Sequence, residues 1–301
     1  MATINQKLKL KPITRHIFLI YGRNNGKFPF SHSILILDED IVLIDTGCGI
    51  RILRDIKKNY NIDYIINSHT HPDHSAGNWL FRKTPVYVPK EGFETSGNMV
   101  ALSERFVSKE LASVWRKFVR KEMHFKNHKP NYSYDERTKF NFGETKLEPI
   151  YTPGHTVDHY CFFDKKERIL FSFDYDLTSF PWYGHEESSL IEFKKSVEKL
   201  MALRPKIVVS SHRELIDKNI RQEFRNFLKV IEDRNKRILL LLDEGKSIDE
   251  LVRYAPIYGK YPYAKQLLIY WEKQMVKKHL EMLEMEGKVK KKGGKYVRAK
   301  K

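Results

Sequence analysis

Short apolar runs in this chain end, again and again, on a histidine or an aspartate. Ile41-Val42-Leu43-Ile44 runs into Asp45, and Tyr64-Ile65-Ile66 leads into Ser68-His69-Thr70-His71-Pro72-Asp73-His74. Tyr151-Thr152-Pro153-Gly154 precedes His155, Ile169 to Phe173 precedes Asp174, and Ile207 to Ser211 precedes His212. Runs this short and rich in β-branched residues read as buried strands. A single polar residue at a strand end is usually a turn or a cap. Several of one chemical type suggest a sheet edge on which side chains converge, the usual place for a site in layered α/β proteins. Imidazole nitrogens and carboxylates are the donors that Zn²⁺ and Fe²⁺ take in water-activating sites. In the loop after Ser68, His69 and His71 alternate, and a proline bend sets off Asp73 and His74, so the loop can wrap around a cation.

The remaining strands are expected at Ile17–Ile20, Ser33–Leu37, Pro85–Pro89, Lys139–Phe142, Leu147–Tyr151 and Tyr160–Phe163. The break Asp38-Glu39-Asp40 reads as a turn. Helical spacing covers Ile50–Tyr60 and Ser189–Leu203. From Phe93 to Tyr134 no strand is expected. Val100, Leu102, Phe106, Val107, Leu111, Val114, Trp115, Phe118 and Val119 recur at spacings of three and four, which predicts a helical insertion over about 93–133. Beyond Asp217 the strand signal stops. A long helix is predicted over Ile220–Leu242, another after Ser247 with Glu250 completing a capping box, and a third over Tyr263–Glu286. A small basic hairpin follows around Gly293-Gly294. These limits divide the chain into a domain over 1–217 and a helical domain over 218–301.

Taken together, His69-x-His71-x-Asp73-His74, Asp45-Thr46-Gly47 upstream and Pro153-Gly154-His155-Thr156 downstream resemble the metallo-β-lactamase superfamily, with Asp174 and His212 in its usual order. The resemblance spans about residues 15–215 and implies an α/β protein built as an αββα sandwich. It implies that His69, His71 and His155 hold one metal, that Asp73, His74 and His212 hold a second, and that Asp174 bridges them. The metals would be two divalent ions, Zn²⁺ first, with iron or manganese as alternatives. Asp45 resembles the carboxylate that steadies such ligands, and His159 reads as a support rather than a ligand. The implied chemistry is attack by a metal-bound hydroxide, with Asp73 and Asp174 as catalytic residues. The diiron oxygen-reducing branch usually has Glu at the place of His71, which favours a hydrolase. Two departures stand out. His212 lies in Ser-His-Arg rather than Gly-His-Gly, and Phe173 precedes Asp174 where Gly is common. The segment after Asp174 suggests a pocket wall from Phe180, Trp182 and Tyr183, with His185 as a further substrate contact. The C-terminal order of helix, helix and basic hairpin resembles the winged-helix module that follows the metal domain in β-lactamase-like protein 2 and its relatives.

Charge bears on partners. Lys and Arg number 55 against 38 Asp and Glu, a net of +17. Eight of the cations fall in the last fifteen residues, which hold no acid, and the insertion carries a net +4. A basic wing suits nucleic acid, and a basic cap over the site would draw in an anionic substrate. The reading that results is a hydrolase of a small-molecule thioester, ester or lactone. A metal-dependent single-strand nuclease and a mononuclear iron sulfur dioxygenase are the alternatives. Cys48 and Cys161 have no CxxC partner, which excludes a cysteine-rich zinc module. No run approaches the length of a transmembrane helix, and the stretch Ile17–Tyr21 is too short for a signal peptide's core. The expectation is a cytoplasmic protein without membrane contact. The apolar faces of the insertion and of the last long helix suggest a homodimer.

Overall fold

Two sheets build the frame. The first has seven strands side by side in chain order: β1 (Leu10–Pro12), β2 (Ile17–Ile20), β3 (Ser33–Leu37), β4 (Ile41–Ile44), β5 (Tyr64–Ile66), β6 (Val86–Pro89) and β7 (Tyr132–Tyr134). β1 to β4 pair antiparallel, and β4 to β7 pair parallel. The second has the order β12-β11-β10-β9-β8, from β8 (Phe140–Asn141), β9 (Lys146–Tyr151), β10 (Tyr160–Asp164), β11 (Ile169–Phe173) and β12 (Ile207–Ser210). The coordinates are a computed structural model describing residues 9–299, so the lysines at 300 and 301 of the basic tail lie outside the described residues.

Most of these strands are apolar on both faces because both faces are covered. On β2, Ile17 and Leu19 join Ile34, Ile36, Val42 and Ile44 in a layer between the sheets, against Phe162, Phe171 and Val209 of the second sheet. Their neighbours Phe18, Ile20, Leu35 and Leu43 face outward onto Leu53 and Ile56 of α1 (Ile50–Asn59). The outer face of the second sheet packs Cys161, Phe163, Leu170 and Val208 on Phe193 and Val197 of α5 (Leu190–Ala202). The layers are therefore helix, sheet, sheet, helix, as the resemblance implies.

Two strands depart from expectation, β1 before the first expected strand and β7 at the end of the insertion. β7 is a strand where none was foreseen, pairing Tyr132 with Tyr87 and Tyr134 with Pro89. Three residues are too few to show a two-residue period, and the stacking of Tyr132 on Tyr87, 4.8 Å between ring centres, belongs to the tertiary fold. The insertion before it forms α3 (Met99–Phe106), capped by the Asn98 side chain, and α4 (Ala112–Glu122).

The C-terminal region forms α6 (Ile220–Leu241), α7 (Ile248–Val252), α8 (Lys265–Met285) and a hairpin of β13 (Val289–Lys292) and β14 (Lys295–Arg298). The capping box of Ser247 and Glu250 is present. Phe224, Phe227 and Ile231 of α6 and Met275, Leu280 and Leu283 of α8 share one core with Tyr183, Phe193 and Val197. This core cluster takes residues from both sides of residue 217. The apolar faces that suggested a homodimer meet each other within one chain: Trp115 and Val119 of α4 pack with Leu267, Leu268 and Trp271 of α8. No helix among the described residues is long and apolar enough to cross a membrane.

This shared core predicts cooperative unfolding. Phe227 lies 5.6 Å from Phe193 between ring centres and is almost fully buried. Phe227→Ala should cost about 3–5 kcal/mol and lower a single thermal transition seen alike by calorimetry and circular dichroism. A separate early transition of the C-terminal helices would contradict the shared core.

Candidate metal centre

β4, β5 and β6 are parallel, and β9, β11 and β12 run in one direction in the second sheet. Their C-terminal ends therefore open on one edge, and the loops leaving them bring the donors together. Asp45 follows β4, His69 to His74 follow β5, His155 follows β9, Asp174 follows β11 and His212 follows β12. Pro72 opens a single helical turn, α2 (Pro72–Ser75), which carries Asp73 and His74.

Asp174 is the centre. Its Oδ1 lies 2.8 Å from His74 Nε2 and 3.3 Å from His212 Nε2, and its Oδ2 lies 3.0 Å from His155 Nε2 and 3.7 Å from His69 Nε2. His155 Nε2 is also 3.0 Å from His71 Nδ1. Asp73 Oδ2 stands 3.8 Å from His212 Nε2 and 3.9 Å from His74 Nε2. Two overlapping groups have the spacing to hold a cation: His69, His71, His155 and Asp174, and Asp73, His74, Asp174 and His212. All seven residues expected as ligands lie in these groups.

The second nitrogen of each imidazole is tied down, which decides the tautomer of the first. His74 Nδ1 donates to Asp45 Oδ2 at 2.8 Å. Asp45 also accepts from the Ser68 backbone at 2.8 Å and from Ser68 Oγ at 2.7 Å. Ser68 Oγ thereby has a lone pair free for His69 Nδ1–H, 3.0 Å away. His155 Nδ1 donates to the Trp182 carbonyl at 2.9 Å, and His212 Nδ1 to the Gly26 carbonyl at 2.7 Å. His71 is held through its Nε2 by His185 Nε2 at 2.7 Å, while His185 Nδ1 donates to the Phe106 carbonyl at 2.8 Å. With that proton on Nδ1, His185 Nε2 accepts from His71, and His71 Nδ1 turns its lone pair to the centre.

The donors fit a cation. His69 Nε2 is buried without a hydrogen-bond partner, and His74 Nε2 and Asp174 Oδ1, buried 2.8 Å apart, are not aligned for a well-directed one, a costly arrangement unless something positive lies among them. Protons fill part of that need. Burial disfavours charge on His212, but Asp174 and then Asp73 outweigh it and raise its pKa to about 9. His74 is likewise raised well above its ordinary value against burial, by Asp174, Asp45 and Asp73. His69 and His71 are pushed well below theirs by burial and then by neighbouring histidines.

A family model of the metallo-beta-lactamase superfamily matches residues 26–212. The chain belongs to that superfamily. Its curated relatives include a Caenorhabditis elegans protein named beta-lactamase-like protein 2 homolog, 22% identical over 284 residues, which are 89% of this chain and 84% of that one. They also include human acyl-coenzyme A thioesterase MBLAC2, 26% identical over 212 residues, 63% of this chain and 71% of that protein. Among solved structures, the metallo-beta-lactamase family protein TTHA1429 from Thermus thermophilus superposes with a TM-score of 0.73 at 20% identity, covering 95% of this chain and all of that one.

Within this superfamily frame, the supporting residues separate. Asp45 touches His74 directly. His159 enters neither donor group; its Nε2 accepts from the Asp174 backbone at 3.4 Å and its Nδ1 lies 2.9 Å from Thr152 Oγ1. Phe180, Trp182 and His185 line the chamber over the centre, but Tyr183 does not. Tyr183 turns into the core, where its hydroxyl meets His279 Nε2 at 2.8 Å and the Arg234 guanidinium at 2.9 Å. The expected basic cap is also corrected. The insertion faces the chamber with Phe106, Trp115, Phe118, Val119 and Met123, and none of its lysines or arginines lines it. Arg105 instead donates to Asp158 at 2.8 Å and to Glu187 at 2.6 Å, locking α3 to the loops after His155 and His185. The sequence reading missed this clamp and the wall contributed by Tyr258 and Trp271. Only Trp271 had a signal in the sequence, the apolar spacing of α8.

His185→Ala should weaken binding of a divalent cation about 10–100-fold, measured by competition with a chromophoric chelator; unchanged affinity would remove His185 as the residue that orients His71. Cation loading at pH 7 should also release protons, because the site holds them on His74 and His212 beforehand. Titration calorimetry in buffers of different ionisation enthalpy reads that release, and a buffer-independent heat would contradict it.

Proposed function

We propose that this protein is a hydrolase that uses two divalent cations, Zn²⁺ first, on a small-molecule thioester, with esters and lactones as chemically related substrates. The observation that carries this reading is the pair of donor groups sharing Asp174 at the floor of an apolar chamber. Two of the relatives' names support the thioester: acyl-coenzyme A thioesterase for the human protein, and atrochrysone carboxyl ACP thioesterase for an Aspergillus fumigatus protein 27% identical over 106 residues, about a third of each chain. When bound, such cations supply Lewis acidity and bring a water's pKa towards neutrality. The chain's own residues do the rest. His69, His71 and His155 hold one position, Asp73, His74 and His212 the other, and Asp174 serves both. Asp73 lies beside His212 and opens onto the chamber, so its carboxylate is placed to take a proton from the attacking water and return it to the departing thiolate. The aromatic walls exclude bulk water from the reacting carbonyl.

A nuclease needs cations along a groove that follows a phosphate backbone. Lys27 is the one lysine or arginine lining the chamber among the described residues, which favours the thioester. We also read the C-terminal region as a winged-helix module. Its support is the order α7, α8, hairpin, and the bridge from Lys246 to Tyr296 that adds a short third strand to β14.

The expected result is thioester hydrolysis that a chelator abolishes and Zn²⁺ or Mn²⁺ restores. Asp73→Ala should lower kcat by about 10²–10⁴-fold. Metal-dependent cleavage of labelled single-stranded RNA, lost in the same variant while thioesters stay intact, would overturn the assignment in favour of a nuclease.

A further inference from the structure

The chamber over the metal centre has three walls drawn from distant parts of the chain. α3 and α4 supply Phe106, Trp115 and Phe118, the loop after Asp174 supplies Phe180 and Trp182, and the C-terminal region supplies Tyr258 and Trp271. The three walls are joined to each other. Trp182 Nε1 donates to Tyr258 Oη at 2.8 Å and meets the Trp271 ring edge-on at 5.7 Å. Glu272, fully buried, accepts from the Ile257 and Tyr258 backbone nitrogens at 2.9 Å each and so fixes the segment that carries Tyr258. At the rim, Phe28 stacks on Phe118 at 6.0 Å between ring centres. The cavity has a volume of about 310 Å³ and reaches the metal ligands His71, His155 and His212.

A preformed apolar cavity that opens directly on the reacting centre is shaped for the acyl half of a substrate. Its polar lining away from the donor groups and the aromatic rings is confined to Lys27, Asp176, Thr178 and His185, so a polar acyl group lying along the rings would leave its hydrogen bonds unmade. An apolar chain gains from every methylene it buries. At about 30 Å³ for each group of water size, the space takes about ten carbons. We infer that the chamber is an acyl-chain subsite, built jointly by the insertion and the C-terminal helices, that selects thioesters of apolar chains near ten carbons long. This rests on the hydrolase reading for its chemistry but not for its binding. α8 is then a specificity element of the metal centre, and Trp271 with Trp115 sets the depth of the subsite.

Two measurements on the full chain separate the two ideas. Binding of saturated fatty acids from four to sixteen carbons, followed by quenching of tryptophan fluorescence, needs no turnover. Affinity should rise about 3–4-fold per methylene and level off near ten carbons. Trp271→Ala should move the plateau to longer chains, and Phe118→Arg, at a half-exposed position that tolerates exchange, should flatten the rise. Affinity independent of chain length, or a plateau that neither variant changes, would overturn the subsite. The Zn²⁺-loaded protein is then assayed on acyl thioesters of the same lengths. Hydrolysis that favours ten carbons over two supports both ideas. Equal rates across the series would keep the hydrolase and overturn the subsite. Chain-length-dependent binding without hydrolysis of any member would keep the subsite and overturn the hydrolase.

Discussion

The carboxylate of Asp174 sits among buried imidazoles whose inner nitrogens face it and one another, and much of the surrounding structure exists to keep them there. The lone pairs of His69, His71 and His155 crowd one another and Asp174 in a dry interior, so those ring positions hold only if each outer nitrogen is anchored. The anchors come from separate places. Asp45 and Ser68 lie at the ends of β4 and β5, and the Gly26 carbonyl belongs to the loop before β3. The Trp182 carbonyl belongs to the aromatic loop, and the Phe106 carbonyl acts through His185 from the end of α3. Each anchor fastens a peripheral segment to the centre. The chamber's walls are therefore positioned by the same hydrogen bonds that set the donor tautomers.

Phe173 shows what the centre asks of the sandwich. It holds a left-handed backbone conformation, φ 49°, at the point where the register between β11 and β12 shifts. That region favours glycine, and a side chain there costs roughly 1–2 kcal/mol. The Phe173 ring is nearly fully buried between the sheets and packs on Phe162 at 5.5 Å. Burial of an aromatic ring is worth about as much as the strain costs. The chain thus keeps an aromatic core residue at a turn that aims Asp174 at the centre.

The sequence made the donors legible because each follows a strand, and strands of β-branched residues announce themselves in runs of three to five. The long helices were legible by period. What lay beyond reach was anything decided by contacts between distant segments. Trp182 and Tyr183 are adjacent aromatics in an irregular loop with no period to sort them; one faces the chamber and the other hydrogen-bonds to Arg234. His185 lines the chamber, as a substrate contact would, but only its 2.7 Å approach to His71 reveals the support it gives that ring. The spacing in α4 showed that one face must be buried but not that α8, about 150 residues later, covers it.

Net charge was the weakest guide to the site, for a physical reason. A count of lysines says how many cations a segment carries and nothing of the direction in which they point. In the insertion the apolar face is turned inward by the need to bury Trp115 and Val119, so its lysines and arginines are left on the outer face or, like Arg105, spent on an internal ion pair. The low-dielectric chamber that results strengthens any charge interaction made within it. A cation held by these donors would act within the chamber with little solvent screening, while the surface charge, damped within about 8–10 Å by salt, acts only on the approach. The chemistry and the excess positive charge thus belong to different distances from the centre, and the apolar walls keep them apart.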